Sequence, residues 1–231
     1  MDYTVQLRKI VGVIDSPKTP RGRATRERIV AAASELIAEH SIAETSIDDV
    51  IERAGASKSQ LYHYFEDRGA LLRAVVDHNT RTVLGDLVPL DSWRAIRSWF
   101  DSLVEAQVER GACGGCPIGS LVGQLAEADE QARLALADSL GRWEARLRDG
   151  LRSLQQQGKL VRTADPDELA TATMAAIQGG LLLAQARRDP GQLAVALDAA
   201  YAHLRVGAAR RPARHRSATH QRGGYVGSPS H

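Results

Sequence analysis

The chain of 231 residues is long for one compact domain and short for three, and its 43% apolar content is enough for a buried core. Two cysteines in this length exclude a disulfide-stabilised scaffold, and no apolar run approaches the roughly 20 residues that cross a membrane. We therefore expect a cytoplasmic protein with one small domain, one larger domain and no membrane segment.

The net charge is only +2, but positive charge is concentrated at the two ends. Residues 18–28 hold five cations against one acid, a local charge of +4, and five arginines without an acid follow Val206. Taking those five charges from +2 leaves −3 for the rest of the chain. Basic patches attract a phosphate backbone more than global charge does. We interpret residues 1–22 as a basic, flexible arm and residues 207–231 as a disordered basic tail.

Helical periodicity begins at about Thr25 and continues through the chain, without a useful stretch of period-two alternation. A second helix is predicted to start at Thr45 or Ser46, where acids three residues on can complete a capping box. This helix is predicted to end before Gly55, because glycine readily adopts the left-handed backbone conformation that ends many helices. These signals predict two helices joined by a tight turn.

A third, shorter helix can be capped by Ser57 and runs to Tyr64. Residues 67–69 are a short break, and the longer helix that follows is closed by Pro89. Residues 46–65 therefore have the layout of a helix-turn-helix, which places its second helix in the major groove of DNA.

From Asp91 onward the sequence is helical with short interruptions. The segment CGGCPIG at residues 113–119 is one of them, and its Pro117 suits the first turn of the next helix. Asp165 and Pro166 are an acidic cap and a first-turn proline, and they begin a helix of about 22 residues. The predicted class is all-α, with a helix-turn-helix domain at 23–83 and a larger C-terminal domain at 84–206.

Apolar and small residues recur at fixed spacing around this helix-turn-helix. They are Ile29, Ala32, Ala33, Leu36, Thr45, Ser46, Ile47, Val50, Ile51, Ala54, Gly55, Ala56, Ser57, Leu61, Tyr62, His63, Tyr64, Phe65 and Leu71. Through them residues 25–75 resemble the TetR family of bacterial transcriptional regulators, because several matches in the right context are far more specific than one short pattern. The sequence departs from the family at Ser59, where glycine is common, at Arg68, where lysine is usual, and at Gly69.

Candidate DNA contacts follow from the first turn of the third helix, where base edges are reached. Gln60 can be bidentate to adenine, and Lys58 can donate to guanine. Arg21 and Arg23 could lie in a flanking minor groove, as an extended arm does. The resemblance implies that the same helix contacts DNA, and it adds phosphate contacts from Thr45 and Arg68. The candidate DNA-binding set is Arg21, Arg23, Thr45, Ser57, Lys58, Ser59, Gln60, Tyr62, His63, Tyr64 and Arg68, of which His63 fits a packed or solvated role equally well.

The resemblance also implies a homodimer on a palindromic double-stranded DNA operator, with the last two helices, about 165–187 and 190–206, pairing with their twofold mates. A dimer is favoured independently because one small helix-turn-helix rarely supplies enough affinity. Small residues at 175, 176, 179 and 180 could let helices approach closely, or could be ordinary core positions of a monomer.

A small-molecule effector in the C-terminal domain is a further implication of the resemblance. Its site would be mostly apolar with a few polar groups, although aromatic residues at helical spacing are also typical of plain core. The candidate lining residues are Trp93, Trp99, Phe100, Leu103, Trp143, Met174, Gln178 and Leu182. We expect no cofactor, no metal and no enzymatic activity.

Cys113 and Cys116 allow another interpretation, because a CxxC pair beside a helix start can form a reversible disulfide. A zinc site would need a second pair of ligands, which the sequence does not offer. The Cys-Pro-Ile-Gly stretch instead resembles a subgroup of TetR regulators whose ligands are aromatic plant or drug-like compounds, and this interpretation is favoured.

The sequence therefore predicts a ligand-responsive repressor, released from its operator when an effector shifts the fourth helix, about 69–87. Three alternatives stay open. They are a redox-sensing regulator that uses the two cysteines, a thiol oxidoreductase, and an architectural protein that binds DNA without regard to sequence.

Overall fold

The computed structural model describes residue 17, residues 19–85 and residues 88–208, and within these ranges it is built of helices joined by short loops. An isolated β-bridge joins Leu160 to Ala208. This confirms the predicted all-α class. The predicted disordered tail from residue 209 onward, and residues 1–16 and 18 of the predicted arm, lie outside the described residues. The helices are α1 (Pro20–Glu39), α2 (Ile47–Ala54), α3 (Lys58–Tyr64), α4 (Arg68–Leu84), α5 (Trp93–Glu109), α6 (Gly119–Leu125), α7 (Glu130–Gln156), α8 (Pro166–Arg187) and α9 (Gly191–Val206).

Capping signals set both ends of α2 where the sequence predicts them. Ser46 caps the helix, since its side chain accepts from the amide of Asp49 while the Asp49 carboxylate accepts from the amide of Ser46. Gly55 ends the helix in the left-handed conformation, with φ of 58°. The turn that leads to α3 is thus encoded locally.

The start of α1 differs from the prediction. The helix begins at Pro20 instead of about Thr25, because Thr19 accepts a hydrogen bond from the amide of Gly22 at 3.1 Å and proline suits the first helical position. The assignment of residues 20–22 to a flexible arm was therefore wrong.

A small apolar core holds the first three helices together. Ile29 and Ala33 of α1, Val50 of α2, and Leu61 and Phe65 at the end of α3 are each at most 2% exposed. Because one side of α3 packs into this core, its opposite side remains on the surface.

The apolar core continues through the C-terminal helices, where α8 and α9 lie against each other. At Gly180, a Cβ atom would come within 2.9 Å of Leu193 and 3.0 Å of Ala196 on α9. The close approach predicted at this glycine is therefore made within one chain. Gly179 is different, because a Cβ there would meet no atom of the described residues within 4 Å.

Two loop predictions are corrected. Helix α4 begins at Arg68, one residue after its cap Asp67, so the predicted break is shorter than residues 67–69. Helix α6 begins at Gly119, so Pro117 precedes the helix and does not occupy its first turn.

Candidate DNA interface and effector site

The surface of α3 is formed by residues that the sequence predicts as DNA contacts. Ser57, Lys58, Ser59, Gln60 and His63 are exposed, and Tyr62 is 49% exposed. The apolar side chains of the helix point into the core, so the polar side chains share the outer face. That face is available to a DNA duplex.

Gln60 already has a role in the helix. Its side-chain oxygen accepts a hydrogen bond from the amide of Ser57 at 2.8 Å, and the Ser57 hydroxyl accepts from the amide of Gln60 at 3.1 Å. This is a complete capping box. A bidentate contact to adenine would have to give up the bond from Gln60 to Ser57.

Arg21 and Arg23 lie in the first turn of α1, which corrects their assignment to an extended minor-groove arm. Arg23 donates to the carbonyl of Pro17 at 3.2 Å. The hydroxyl of Tyr64, at the end of α3, lies 3.5 Å from where a Cβ on Gly22 would be. The start of α1 and the end of α3 are therefore neighbours, and their basic and phenolic groups belong to one surface.

Two predicted phosphate contacts have structural roles instead. Thr45 is only 7% exposed, and its hydroxyl donates to the carbonyl of Ser41 at 2.7 Å, so the assignment of this side chain to DNA was wrong. Arg68 is exposed, but its Nη2 donates to the carbonyl of Ile42 and to that of Thr45, the latter at 2.9 Å. Arg68 thus fastens the loop between α1 and α2 to the start of α4.

Acidic groups lie close to this basic surface. Lys58 Nζ is 3.8 Å from the carboxylate of Asp48, and both side chains are well exposed. Behind them, the hydroxyl and amide of Ser46 hold the pKa of the Asp49 carboxyl below its ordinary value. The ion pair between Lys58 and Asp48 is worth little at such exposure, so Lys58 can exchange it for a phosphate or base.

Five of the predicted effector-site residues are buried or half-buried side chains of α5, α7 and α8. Trp99 and Trp143 are buried, with ring centroids 6.2 Å apart in an edge-to-face arrangement. Met174 is buried, and Leu103 and Gln178 are half-buried. The contact between Trp99 of α5 and Trp143 of α7 thus joins two predicted residues that are distant along the chain.

Three other candidates are placed differently. Leu182 is 64% exposed and lies outside the core, so its assignment to the effector site was wrong. The backbone carbonyl of Trp93 accepts a hydrogen bond from Tyr201 of α9 at 3.2 Å, and the guanidinium of Arg205 covers the Trp93 ring. Phe100 is buried and also contacts the Tyr201 ring. Trp93 and Phe100 therefore pack toward α9.

Gln107 is a buried polar residue that the sequence prediction missed. It is 0% exposed, and neither its side-chain oxygen nor its nitrogen has a hydrogen-bond partner within the described part of the chain. Gln107 follows Leu103 by one helical turn on the inward face of α5, so the helical period could have predicted that it is buried. A single glutamine in a helix is otherwise typical of a solvated position.

The two cysteines are free and differ in environment. Cys113 is exposed, and Arg188 donates to its sulfur at 2.8 Å. Cys116 is buried, and a Cβ on Gly119 would lie 3.6 Å from its sulfur. Both belong to the loop between α5 and α6.

An N-terminal helix-turn-helix domain whose second helix faces outward, followed by a larger helical domain, is the architecture of a class of DNA-binding regulators. Comparison with known proteins gives the family. Residues 29–75 match the model of bacterial regulatory proteins of the tetR family, and residues 92–199 match the C-terminal domain of LmrA/YxaF-like transcriptional regulators.

The chain is 30% identical to an HTH-type transcriptional regulator of Mycobacterium tuberculosis over 71% of its own length and 86% of the relative. It is 26% identical to the transcriptional regulator AcuR of Cereibacter sphaeroides, over 75% of this chain and 82% of the relative. The reduced form of Escherichia coli NemR has the same fold, with a TM-score of 0.71 and 22% identity over 80% of this chain and 98% of NemR.

The chain belongs to the TetR family of transcriptional regulators. Members of this family are DNA-binding proteins, generally repressors that respond to ligands, and they are not enzymes. The alternative of a thiol oxidoreductase was therefore wrong.

Proposed function

We propose that this protein is a cytoplasmic repressor that binds a palindromic operator as a homodimer and leaves it when a small aromatic effector enters the C-terminal core. The observation that carries the proposal is the outward polar face of α3, formed by Ser57, Lys58, Ser59 and Gln60 together with Tyr62. These side chains can donate and accept at base edges and phosphates in a major groove.

The first turn of α1 adds to the same surface. Arg21 and Arg23 lie on a helical N-terminus beside the end of α3, and such termini bind phosphate through backbone amides and the helix dipole. We assign them to the DNA backbone on one side of the groove. Tyr64, which is half-buried, and His63 lie at this same end of α3 and add to the contact.

A dimer formed by α8 and α9 is supported by apolar side chains on their outer faces. Leu182 and Leu183 of α8 are 64% and 43% exposed, and Val195 and Val206 of α9 are 71% and 84% exposed. Exposed apolar side chains on two neighbouring helices are what a protein interface would cover. A twofold pairing of these faces would present two α3 helices to successive major grooves, about 34 Å apart.

Contacts between the two domains support transmission through α4. Asn79 of α4 donates to the carbonyl of Pro117 at 3.2 Å and accepts from the hydroxyl of Ser34 on α1 at 2.6 Å. Its neighbour Thr80 donates to the hydroxyl of Ser139 on α7 at 2.7 Å. A shift of the effector core would thus move α4 and α1 together, and with them the spacing of the recognition helices.

A redox-sensing regulator is the second candidate, and one contact favours it. The Arg188 guanidinium donates to the sulfur of Cys113 at 2.8 Å, and Cys113 is exposed, so an oxidant can reach it. Since Cys116 is buried, a disulfide between the two requires the loop from α5 to α6 to rearrange. Peptide mass mapping after mild oxidation would show this disulfide, and a protein that keeps both thiols would contradict the candidate.

The proposed function is tested by selecting bound DNA from a random pool with the purified protein. We expect one enriched sequence with twofold symmetry. Tyr62→Ala should weaken binding to it by about tenfold or more, because each half-site loses a contact. Leu134→Ala is the matched control, since Leu134 is similarly exposed at 52% but lies on α7.

Enrichment of DNA without symmetry, with binding that depends on salt alone, would instead support an architectural protein. Equal operator affinity of Tyr62→Ala and the wild type would remove α3 from the interface.

A further inference from the structure

The loop between α1 and α2, residues 40–46, contains a strained residue. Ser41 has a φ of 119°, in the region of positive φ that favours glycine and that other residues rarely adopt. Such a conformation costs free energy and persists only where the surrounding structure holds it in place. The contacts of this loop therefore show what keeps Ser41 in its conformation.

The DNA-binding domain holds the loop by its carbonyl groups. The Thr45 hydroxyl donates to the carbonyl of Ser41 at 2.7 Å, and this bond closes the turn. Arg68, at the start of α4, donates to the carbonyl of Ile42 and to that of Thr45. These bonds fix three carbonyl groups of the loop.

The C-terminal domain holds the same loop by an amide group, through Gln124 of α6. The side-chain oxygen of Gln124 accepts a hydrogen bond from the amide of Ile42 at 2.8 Å. Its side-chain nitrogen donates to the carbonyl of Ser120, one turn earlier on α6, at 3.2 Å. The second bond orients the side chain, because it directs the nitrogen along α6 and leaves the oxygen facing Ile42. The amide next to the strained residue is thus bound from the other domain.

A shift of this loop would move the recognition helix. Ser46, the last residue of the loop, caps α2 through its bonds with Asp49. Helix α2 is followed by α3 after residues 55–57, and the Lys58 ammonium lies 3.8 Å from the Asp48 carboxylate of α2. The backbone around Ile42 therefore influences where α3 presents its outer face.

We propose that Gln124 is a positioning residue for DNA binding, which holds the strained turn at Ser41 from the C-terminal domain and thereby sets the place of α2 and α3. Its role is indirect, because it acts through the backbone of Ile42. When this bond is lost, Ser41 relaxes to a negative φ and the start of α2 shifts. The inference rests on the proposed function, because it assigns a role in operator binding.

The first test removes the acceptor. Gln124→Met has nearly the same side-chain length and should weaken binding to the selected operator by about tenfold, because both half-sites are affected. Since Gln124 is exposed, the midpoint of unfolding should stay close to that of the wild type. Operator affinity of Gln124→Met equal to that of the wild type would overturn the proposal.

Gln157→Met is the matched control. Gln157 is also exposed and bonds to the backbone of a distant segment, since its side-chain nitrogen donates to the carbonyl of Asp91 at 3.2 Å. Both residues lie in the C-terminal domain, so this variant should bind the operator as the wild type does. An equal loss in Gln157→Met and Gln124→Met would show that the contact with the loop is not the cause.

The second test removes the strain. Glycine adopts the φ of Ser41 without a side-chain cost, so the turn should keep its conformation without Gln124. The double variant of Ser41→Gly with Gln124→Met should therefore bind the operator within about twofold of Ser41→Gly alone. Ser41→Ala removes the same hydroxyl but keeps the strain, and it should not rescue Gln124→Met. Failure of Ser41→Gly to rescue, or equal rescue by Ser41→Ala, would contradict the role of the strained turn.

Amide hydrogen exchange without DNA separates this inference from the proposed function. Gln124→Met should accelerate exchange in residues 42–50, whereas Gln124→Glu keeps an acceptor and should keep the protection of the wild type. If the wild type selects no symmetric operator, the proposed function fails, and faster exchange in Gln124→Met would still support the hold of Gln124 on the loop. If the wild type binds its operator and exchange is unchanged in Gln124→Met, this inference is overturned and DNA binding by α3 stands.

Discussion

At the scale of single residues, Gln60 has two roles that compete. Its side-chain oxygen closes the capping box on Ser57, and its position in the first turn of α3 places it where base edges are reached. Replacement by alanine would remove both roles at once and would not show which one mattered. A carboxylate separates them, because Glu accepts the same capping bond but carries a charge that phosphate repels.

We therefore predict that Gln60→Glu keeps its stability within about 0.5 kcal/mol, as surface substitutions usually do. The same substitution should lose operator affinity by at least about tenfold. Gln60→Ala should lose about 0.5–1 kcal/mol of stability in addition to its affinity, because the capping bond is gone. Urea unfolding and fluorescence anisotropy with labelled operator give the two quantities. Wild-type affinity of Gln60→Glu would show that this residue is not at the DNA.

Among the helices, those defined by local signals are the ones that the sequence predicts well. The ends of α2 and the start of α3 follow from Ser46, Gly55 and Ser57, because capping needs only neighbouring residues. The start of α1 was missed, since Thr19 and Pro20 were interpreted as part of the flexible arm. The burial of Gln107 follows from the helical period of α5, but its lack of partners could not be foreseen, because the partners of a buried group come from other helices.

The contacts of α4 with both domains also could not be predicted from the sequence, because they join residues of different helices. Asn79 is 8% exposed and connects the carbonyl of Pro117, in the cysteine loop, to Ser34 on α1. Arg73, six residues earlier on α4, lies 3.5 Å from the carboxylate of Asp129, which caps α7. Helix α4 therefore holds polar contacts to both domains along its length.

Asn79→Leu should lower the free energy of unfolding by about 2–4 kcal/mol, because two half-buried partners lose their bonds to a buried side chain. It should also accelerate amide hydrogen exchange in the loop at residues 110–118. Thr80→Val is the matched control, since it removes a buried hydrogen bond to Ser139 from the adjacent position. That variant should leave exchange in the loop unchanged. Unaltered protection of the loop in Asn79→Leu would show that α4 does not hold it.

On the scale of the whole molecule, α8 has more apolar surface than one chain covers. Among the helices described, Pro166–Arg187 is long and apolar enough to cross a membrane by length and composition, yet less than half of its most apolar window is buried. Core helices of water-soluble proteins also have this length and composition. A second copy of α8 and α9 would cover the exposed leucines and valines, and a standard interface of about 1,200–2,000 Å² would suffice.

Val195→Asp tests this arrangement, because a twofold interface would bury the new charge twice. We expect the dimer to weaken by about a hundredfold or more, since an unpaired buried charge costs about 3 kcal/mol or more. Operator affinity should fall as the dimer dissociates, because a monomer carries one helix-turn-helix domain and can bind only one half-site. Leu134→Asp places the same charge at an exposed apolar position of α7 and should stay dimeric. Light scattering after size-exclusion chromatography measures the assembly, and a Val195→Asp protein that is still a dimer would place the interface on another face.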